Sequence, residues 1–145
     1  MQRRLHFKIG DVAGSAILYD DAAPKNIAVL WNALPIHGPL RHARWSGQQT
    51  YMKIDPLARL CDRVENPVSL VSRGQVVFRP ERGMFSVCYG RAQQRDQPLH
   101  HRVVNGYGSL IGLVDENTDA LLAAFAETDF RGSIPIEIYR GEYPE

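Results

Sequence analysis

Apolar residues recur along this chain in two periods, and those periods predict where strands and helices lie. Leu5, Phe7 and Ile9 alternate with polar neighbours, the period of a half-buried strand. The run Gly10-Asp11-Val12-Ala13-Gly14 is a turn signal, after which residues 15–19 resume an extended stretch. Acids at 20 and 21 then precede Pro24, a residue suited to a first helical turn. Ile27, Leu30, Trp31 and Leu34 follow at i, i+3, i+4 and i+7, an amphipathic helical stripe that Pro35 and Gly38-Pro39 stop.

Beyond residue 40 the extended pattern dominates. Residues 40–45 and 48–54 read as a hairpin around Ser46-Gly47, and the polar stretch 55–67 has room for one helical turn around 57–61. Short apolar runs at 68–71, 75–78 and 84–89, separated by Arg73-Gly74 and Pro80-Glu81-Arg82-Gly83, predict consecutive strands. Residues 91–102 are polar and aperiodic, a long loop of the kind that often carries function. Residues 107–114 form another strand, Asn117 or Thr118 caps a helix bearing Leu121, Leu122 and Phe125, and Ile134, Ile136 and Ile138 close the chain. Eight strands and two helices are too few helices for a doubly wound sheet. A mainly β, closed eight-stranded barrel with helices plugging its ends is the economical solution, because closure removes exposed edges.

The length of 145 residues suits one domain spanning the whole chain. The net charge of +1 conceals a division. Residues 41–102 carry ten Arg and one Lys against five acids, whereas residues 103–145 carry two Arg against eight acids. Without an overall basic surplus a general nucleic-acid-binding role is excluded, but a local anion site in the middle of the chain is not. No stretch approaches the roughly 20 apolar residues of a membrane span, and the N-terminus lacks the apolar core of a secretory signal. A cytoplasmic protein with Cys61 and Cys88 as free thiols is the expectation.

Two segments carry a resemblance. GSAILYDDAAPKNIAVLWNAL resembles the opening of cyclophilins, and VNGYGSLIGLVDENTDALL their later passage from strand to helix. HARWSG, followed by Glu65-Asn66, VVFRP and CYG, more specifically resembles the bacterial cyclophilin-like proteins grouped as a domain of unknown function, DUF3830. The resemblance spans nearly the whole chain and implies a cyclophilin-like barrel of eight strands and two helices. It does not imply prolyl isomerase activity. Residues 40–45 read Leu-Arg-His-Ala-Arg-Trp where those enzymes carry Phe-His-Arg, and their downstream Gln is missing.

The strongest chemical constellation is His42-Ala43-Arg44-Trp45-Ser46-Gly47. On a strand His42 and Arg44 share a face, so a guanidinium fork suited to a carboxylate stands beside an imidazole that can transfer protons near neutral pH. The competing assignment is a plain hairpin with both charges on the surface and Trp45 in the core. Glu65 is a candidate base or partner for Arg44, and Asn66 can orient a ligand or simply make a turn before Pro67. Arg79 and Tyr89, at expected strand ends, are candidates for a second anion contact and a pocket wall, or for an ion pair and packing. His101, in the long loop, is a candidate cap for that pocket. The expected catalytic residues are therefore His42 and Glu65, with Arg44, Trp45, Asn66, Arg79, Tyr89 and His101 binding a small organic anion. No zinc spacing, dinucleotide fingerprint or nucleophile elbow is present, so no metal, cofactor or covalent catalysis is expected. A homo-oligomer is plausible without a motif for it.

Overall fold

The computed structural model describes residues 2–96 and 104–142. The chain begins with β1 (Arg3–Ile9), β2 (Val12–Leu18) and α1 (Pro24–Ala33), then β3 (Ile36–His42), β4 (Gly47–Lys53) and a single 3-10 turn (Asp55–Leu57). Short strands β5 (Pro67–Val68) and β6 (Leu70–Ser72) lead into β7 (Gln75–Arg79), β8 (Met84–Gln93) and β9 (Arg95–Asp96). The remainder is β10 (Val104–Asn105), β11 (Gly108–Glu116), α2 (Thr118–Ala126), the one-turn α3 (Thr128–Arg131) and β12 (Ile134–Glu142).

The order β2-β1-β12-β3-β4-β8-β7-β11 returns to β2, so eight antiparallel strands close into a barrel. Alternation builds its core. Leu5, Phe7 and Ile9 of β1, Phe85 and Val87 of β8, and Ile134, Ile136 and Ile138 of β12 all face inward and are buried. Phe125 of α2 enters from one end and meets Phe7 edge to face, with ring centroids 5.8 Å apart.

Strand directions fix which groups share an end. Because β2 and β11 are antiparallel, α1 after β2 and α2 after β11 cover opposite mouths. Leu40 pairs with Ile134 at the start of β12, and β12 starts beside the end of β1. His42 therefore stands at the α2–α3 mouth.

Several boundaries differ from the pattern. β2 begins at Val12, which narrows the first turn to Gly10-Asp11, with Gly10 at φ 57°. β3 begins at Ile36, ahead of the Gly38-Pro39 expected to hold loop. Pro39 lies opposite Pro135, so both missing N–H donors fall on one rung of the ladder. The same strand stops at His42 rather than 45. The helical turn lies at 55–57, not 57–61. What reads as one strand at 68–71 is two, on the outside of the barrel: β5 pairs β11 and β6 pairs β8. There Val71, Val77, Cys88 and Ala92 make a small second apolar cluster. The expected loop at 91–102 is partly strand, since β8 runs to Gln93, and residues 97–103 lie outside those described.

Cys61 and Cys88 are both buried and unbridged. Burial pushes the Cys88 thiol above its ordinary range. Among the described residues no helix is long and apolar enough to cross a membrane.

Candidate functional site

Three of the sequence-predicted residues meet at the α2–α3 mouth. His42 and Tyr89 lie two residues beyond the core positions Leu40 and Val87, so both continue the inner face to the rim. His42 Nε2 and Tyr89 Oη are hydrogen-bonded at 2.7 Å. Arg44 sits on the turn between β3 and β4, not on a strand as the alternation predicts. Its Nη1 donates to Asp129 Oδ1 at 3.0 Å, and its Nη2 donates to the main-chain carbonyl of the same Asp129 at 2.6 Å. Asp129 Oδ1 is also 4.0 Å from His42 Nε2. The His42 side chain is only 7% exposed, whereas those of Arg44 and Asp129 are 65% and 54% exposed.

Local bonding explains why the chain holds Arg44 there. Ala43 N–H donates to the Gln49 carbonyl, and the Ser46 hydroxyl and N–H both donate to the Ala43 carbonyl. Gln94 Nε2 donates to Gln49 Oε1 at 2.7 Å, and Gln49 Nε2 to the Ser46 hydroxyl at 3.2 Å, so a buried amide chain ties the turn to the outer layer. Gly47, at φ 115°, follows at once; a Cβ there would lie 2.7 Å from the Arg91 carbonyl. Across the mouth, Phe125 anchors α2 in the core. The Thr128 hydroxyl donates back to the Phe125 carbonyl, fixing the junction that delivers Asp129.

Burial lowers the His42 pKa; Asp129 partly counteracts this and Arg44 adds to it. The ring is therefore neutral at pH 7. Burial, assisted by the negative charge of Asp129 and, at the alkaline pH where it ionises, by Cys88, and opposed by Arg44, raises the Tyr89 pKa, so the phenol keeps its proton. His42 Nδ1 is buried with no hydrogen-bond partner. The tautomer protonated at Nε2, donating to Tyr89 Oη, leaves only a lone pair there, which costs less than a stranded N–H. It also leaves the Tyr89 hydroxyl hydrogen free for another acceptor.

The other candidates lie elsewhere. Glu65 does not reach Arg44, whose carboxylate partner is Asp129. Glu65 Oε1 instead accepts from the Asn26 N–H at 2.7 Å and Nδ2 at 2.9 Å, in the first turn of α1 at the opposite mouth. Asn66, at φ 51°, staples its segment to β11 by donating Nδ2 to the Leu110 carbonyl. Arg79 is buried beneath the outer layer, with Nε 3.2 Å from Glu81 Oε1 and Nη1 donating to the Arg95 carbonyl. Trp45 is half-buried outside the barrel, its ring 5.3 Å from that of Tyr51, and does not enter the core. His101 lies outside the described residues. The residue sequence reasoning missed is Asp129. Its only signal is its place in the acidic last third, which can offset the central arginines.

Two clefts are lined by none of His42, Arg44, Tyr89 and Asp129. One, of about 550 Å³, is lined by Lys8, His37, Pro39, Pro135 and Glu137 among others. The other, of about 560 Å³, lies beside α1 and is lined by Lys25, Arg59 and Cys61 among others. No group of three or more His, Cys, Asp or Glu converges to hold a metal among the described residues.

Fold and site together define a closed eight-stranded antiparallel barrel with a neutral His–Tyr pair and an Arg–Asp pair at one mouth. The chain belongs to the family described as "Protein of unknown function (DUF3830)", which it matches over residues 5–138. It is similar to the solution structure of the hypothetical protein AF2241 from Archaeoglobus fulgidus. That match has a TM-score of 0.63 and 16% identity, covering 97% of this chain and 95% of that one. It is also similar to the structure of McbB in complex with tryptophan, with a TM-score of 0.74 and 19% identity. There 97% of this chain matches 46% of the other, so the chain spans less than half of McbB. At these identities the likeness shows the fold alone. No curated protein matches the sequence.

Proposed function

We propose that this protein binds a small carboxylate-bearing molecule at the α2–α3 mouth, with His42 able to exchange a proton with it through the Tyr89 hydroxyl. One observation carries this reading. The Arg44 guanidinium already grips a carboxylate, that of Asp129, within 4.0 Å of the neutral His42–Tyr89 pair. Both ends of the Arg44–Asp129 pair are more than half exposed, and such pairs contribute only about 0–1 kcal/mol. A ligand carboxylate can therefore take the place of Asp129 on Arg44. It would then lie beside an imidazole kept uncharged by burial, its Nε2 already bonded to Tyr89, and a phenol with a hydrogen to donate. Glu65 is occupied at α1, so any acid–base work would pass through the Tyr89 hydroxyl to His42 in the tautomer protonated at Nδ1, without covalent attachment. The cyclophilin-like motifs support the barrel but not prolyl isomerisation, for which a proline-peptide assay is expected to show only background rates.

Thermal-shift measurements over a panel of small carboxylates at neutral pH test this reading. Stabilisation that rises with ligand concentration, and that Arg44→Ala abolishes, is the expected result. No shift across the panel, for either the native chain or Asp129→Ala, would overturn it.

A second reading, a protein-interaction module that self-associates, draws on the cleft of about 550 Å³ with its facing Pro39 and Pro135 on the outer wall. A monomer mass by light scattering at high micromolar concentration would remove it.

A further inference from the structure

We propose that the ligand taken by Arg44 is a four-carbon acid with a carbonyl oxygen at its far end, curled so that both ends reach one guanidinium. This rests on the carboxylate-binding reading above and narrows it to a substrate class. Arg44 does not hold Asp129 in the usual fork-to-fork way, with two oxygens of one carboxylate on two nitrogens. It takes a single carboxylate oxygen, Oδ1, on Nη1 and the main-chain carbonyl oxygen of the same residue on Nη2. Between those two oxygens run Cγ, Cβ, Cα and C, which is the carbon skeleton of a succinyl group. The two amino nitrogens of one guanidinium sit side by side in a rigid plane, so this skeleton has to fold back on itself to reach both.

The grip has a further consequence for the near end. Oδ1, the oxygen on Nη1, is also the one that approaches His42 Nε2, at 4.0 Å. A two-ended ligand that copies Asp129 therefore presents one carboxylate oxygen to Arg44 and His42 together, beside Tyr89, while its far carbonyl rests on Nη2. An acid held only by its own two carboxylate oxygens would leave the far end unbound. The displaceable pair is the exposed one: Arg44 projects from a turn and Asp129 from a one-turn helix, whereas His42 and Tyr89 belong to the strands of the barrel rim.

Maleate and fumarate separate the possibilities, because they share composition and charge but only the cis isomer can bring both ends to one guanidinium. Calorimetric titrations of the native chain, Asp129→Ala and Arg44→Lys with acetate, malonate, maleate, succinate, fumarate and glutarate make the test. Maleate is expected to bind about ten-fold or more tighter than fumarate, the increment of one additional charge-assisted hydrogen bond, with succinate between them. Asp129→Ala removes the competing carboxylate, leaving only the main-chain carbonyl of residue 129 on Nη2, and is expected to tighten maleate binding. Arg44→Lys keeps the charge but not the fork, and is expected to bind the two isomers alike. Asp129→Asn, which preserves side-chain shape, replaces the alanine variant should that variant unfold. Equal affinity of the native chain for maleate and fumarate would overturn the four-carbon rule while leaving carboxylate binding intact. Failure of every acid to bind both the native chain and the Asp129 variant would overturn both.

Discussion

The two mouths of the barrel are lined with polar side chains of similar kinds, and they use them in opposite ways. At the α1 mouth, Asn26 is fully buried. Its Nδ2 donates to Glu65 Oε1 and to the Arg63 carbonyl, its Oδ1 accepts from the Ser109 hydroxyl, and its main-chain N–H donates to Glu65 Oε1. The Ser109 hydroxyl in turn accepts from the Glu65 N–H at 3.0 Å. Every polar atom of Asn26 has a partner. At the α2–α3 mouth, His42 is held by one hydrogen bond and has a buried nitrogen with none, while its charged neighbours pair in solvent. A fully satisfied buried network fixes a structure, whereas a partly satisfied one keeps capacity for something else to bind. That difference, rather than residue type, is what supports the proposed site at the second mouth.

The contrast can be broken in order of expected effect. Asn26→Ala removes the side-chain donor to Glu65 and to the Arg63 carbonyl and the acceptor of the Ser109 hydroxyl, leaving Glu65 Oε1 only the main-chain N–H of residue 26, and a loss of about 3 kcal/mol in urea denaturation is expected. Ligand response of the surviving folded fraction should be unaffected. A cost below about 1 kcal/mol would show that this mouth is not the anchored one. Tyr89→Phe removes the one partner of His42 and is expected to cost about 1–2 kcal/mol, less than the change at Asn26. A reversed order would dissolve the comparison.

The pH dependence follows from His42. Its folded pKa lies below the ordinary value of about 6.5, so on acidification the unfolded chain takes up that proton first. The His42 contribution to stability is full above pH 6.5 and is lost as the pH falls from there towards the lowered folded value. His42→Gln is expected to flatten this part of the stability–pH curve, measured as the difference from the native chain. An NMR titration midpoint for His42 above 6.5 would contradict the burial assigned to it. The smallest stability effect is expected at the pair that matters most for binding. Arg44→Ala and Asp129→Ala should each lie within about 1 kcal/mol of the native chain in denaturant while shifting carboxylate affinity in opposite directions.

Much of the barrel was legible because burial leaves a periodic trace. The alternation of Leu5, Phe7 and Ile9 and of Ile134, Ile136 and Ile138, and the helical stripe from Ile27 to Leu34, each report one buried face. The outer strands β5 and β6 were not legible as separate elements, since two or three residues are too short to show a period. At the site, HARWSG marked two of the residues that meet, and Tyr89 followed from its place towards the end of an apolar run. Glu65 was misplaced because adjacency in sequence to the hairpin says nothing about which mouth a loop reaches; strand direction sends it to α1. Asp129 was invisible for the complementary reason, being 85 residues from Arg44 along the chain with no pattern of its own. The charge division did anticipate its kind: Arg44–Asp129 and Arg73–Asp119 both join the basic middle to the acidic end.

The most direct test is an NMR titration of the native chain with succinate, following the His42 ring and the Arg44 guanidinium signals, repeated with Arg44→Ala. Carboxylate binding at this mouth requires saturable shifts of both groups in the native chain and none at His42 in the variant. If both signals stay fixed in the native chain, or if His42 shifts equally without Arg44, the α2–α3 mouth is not the binding site.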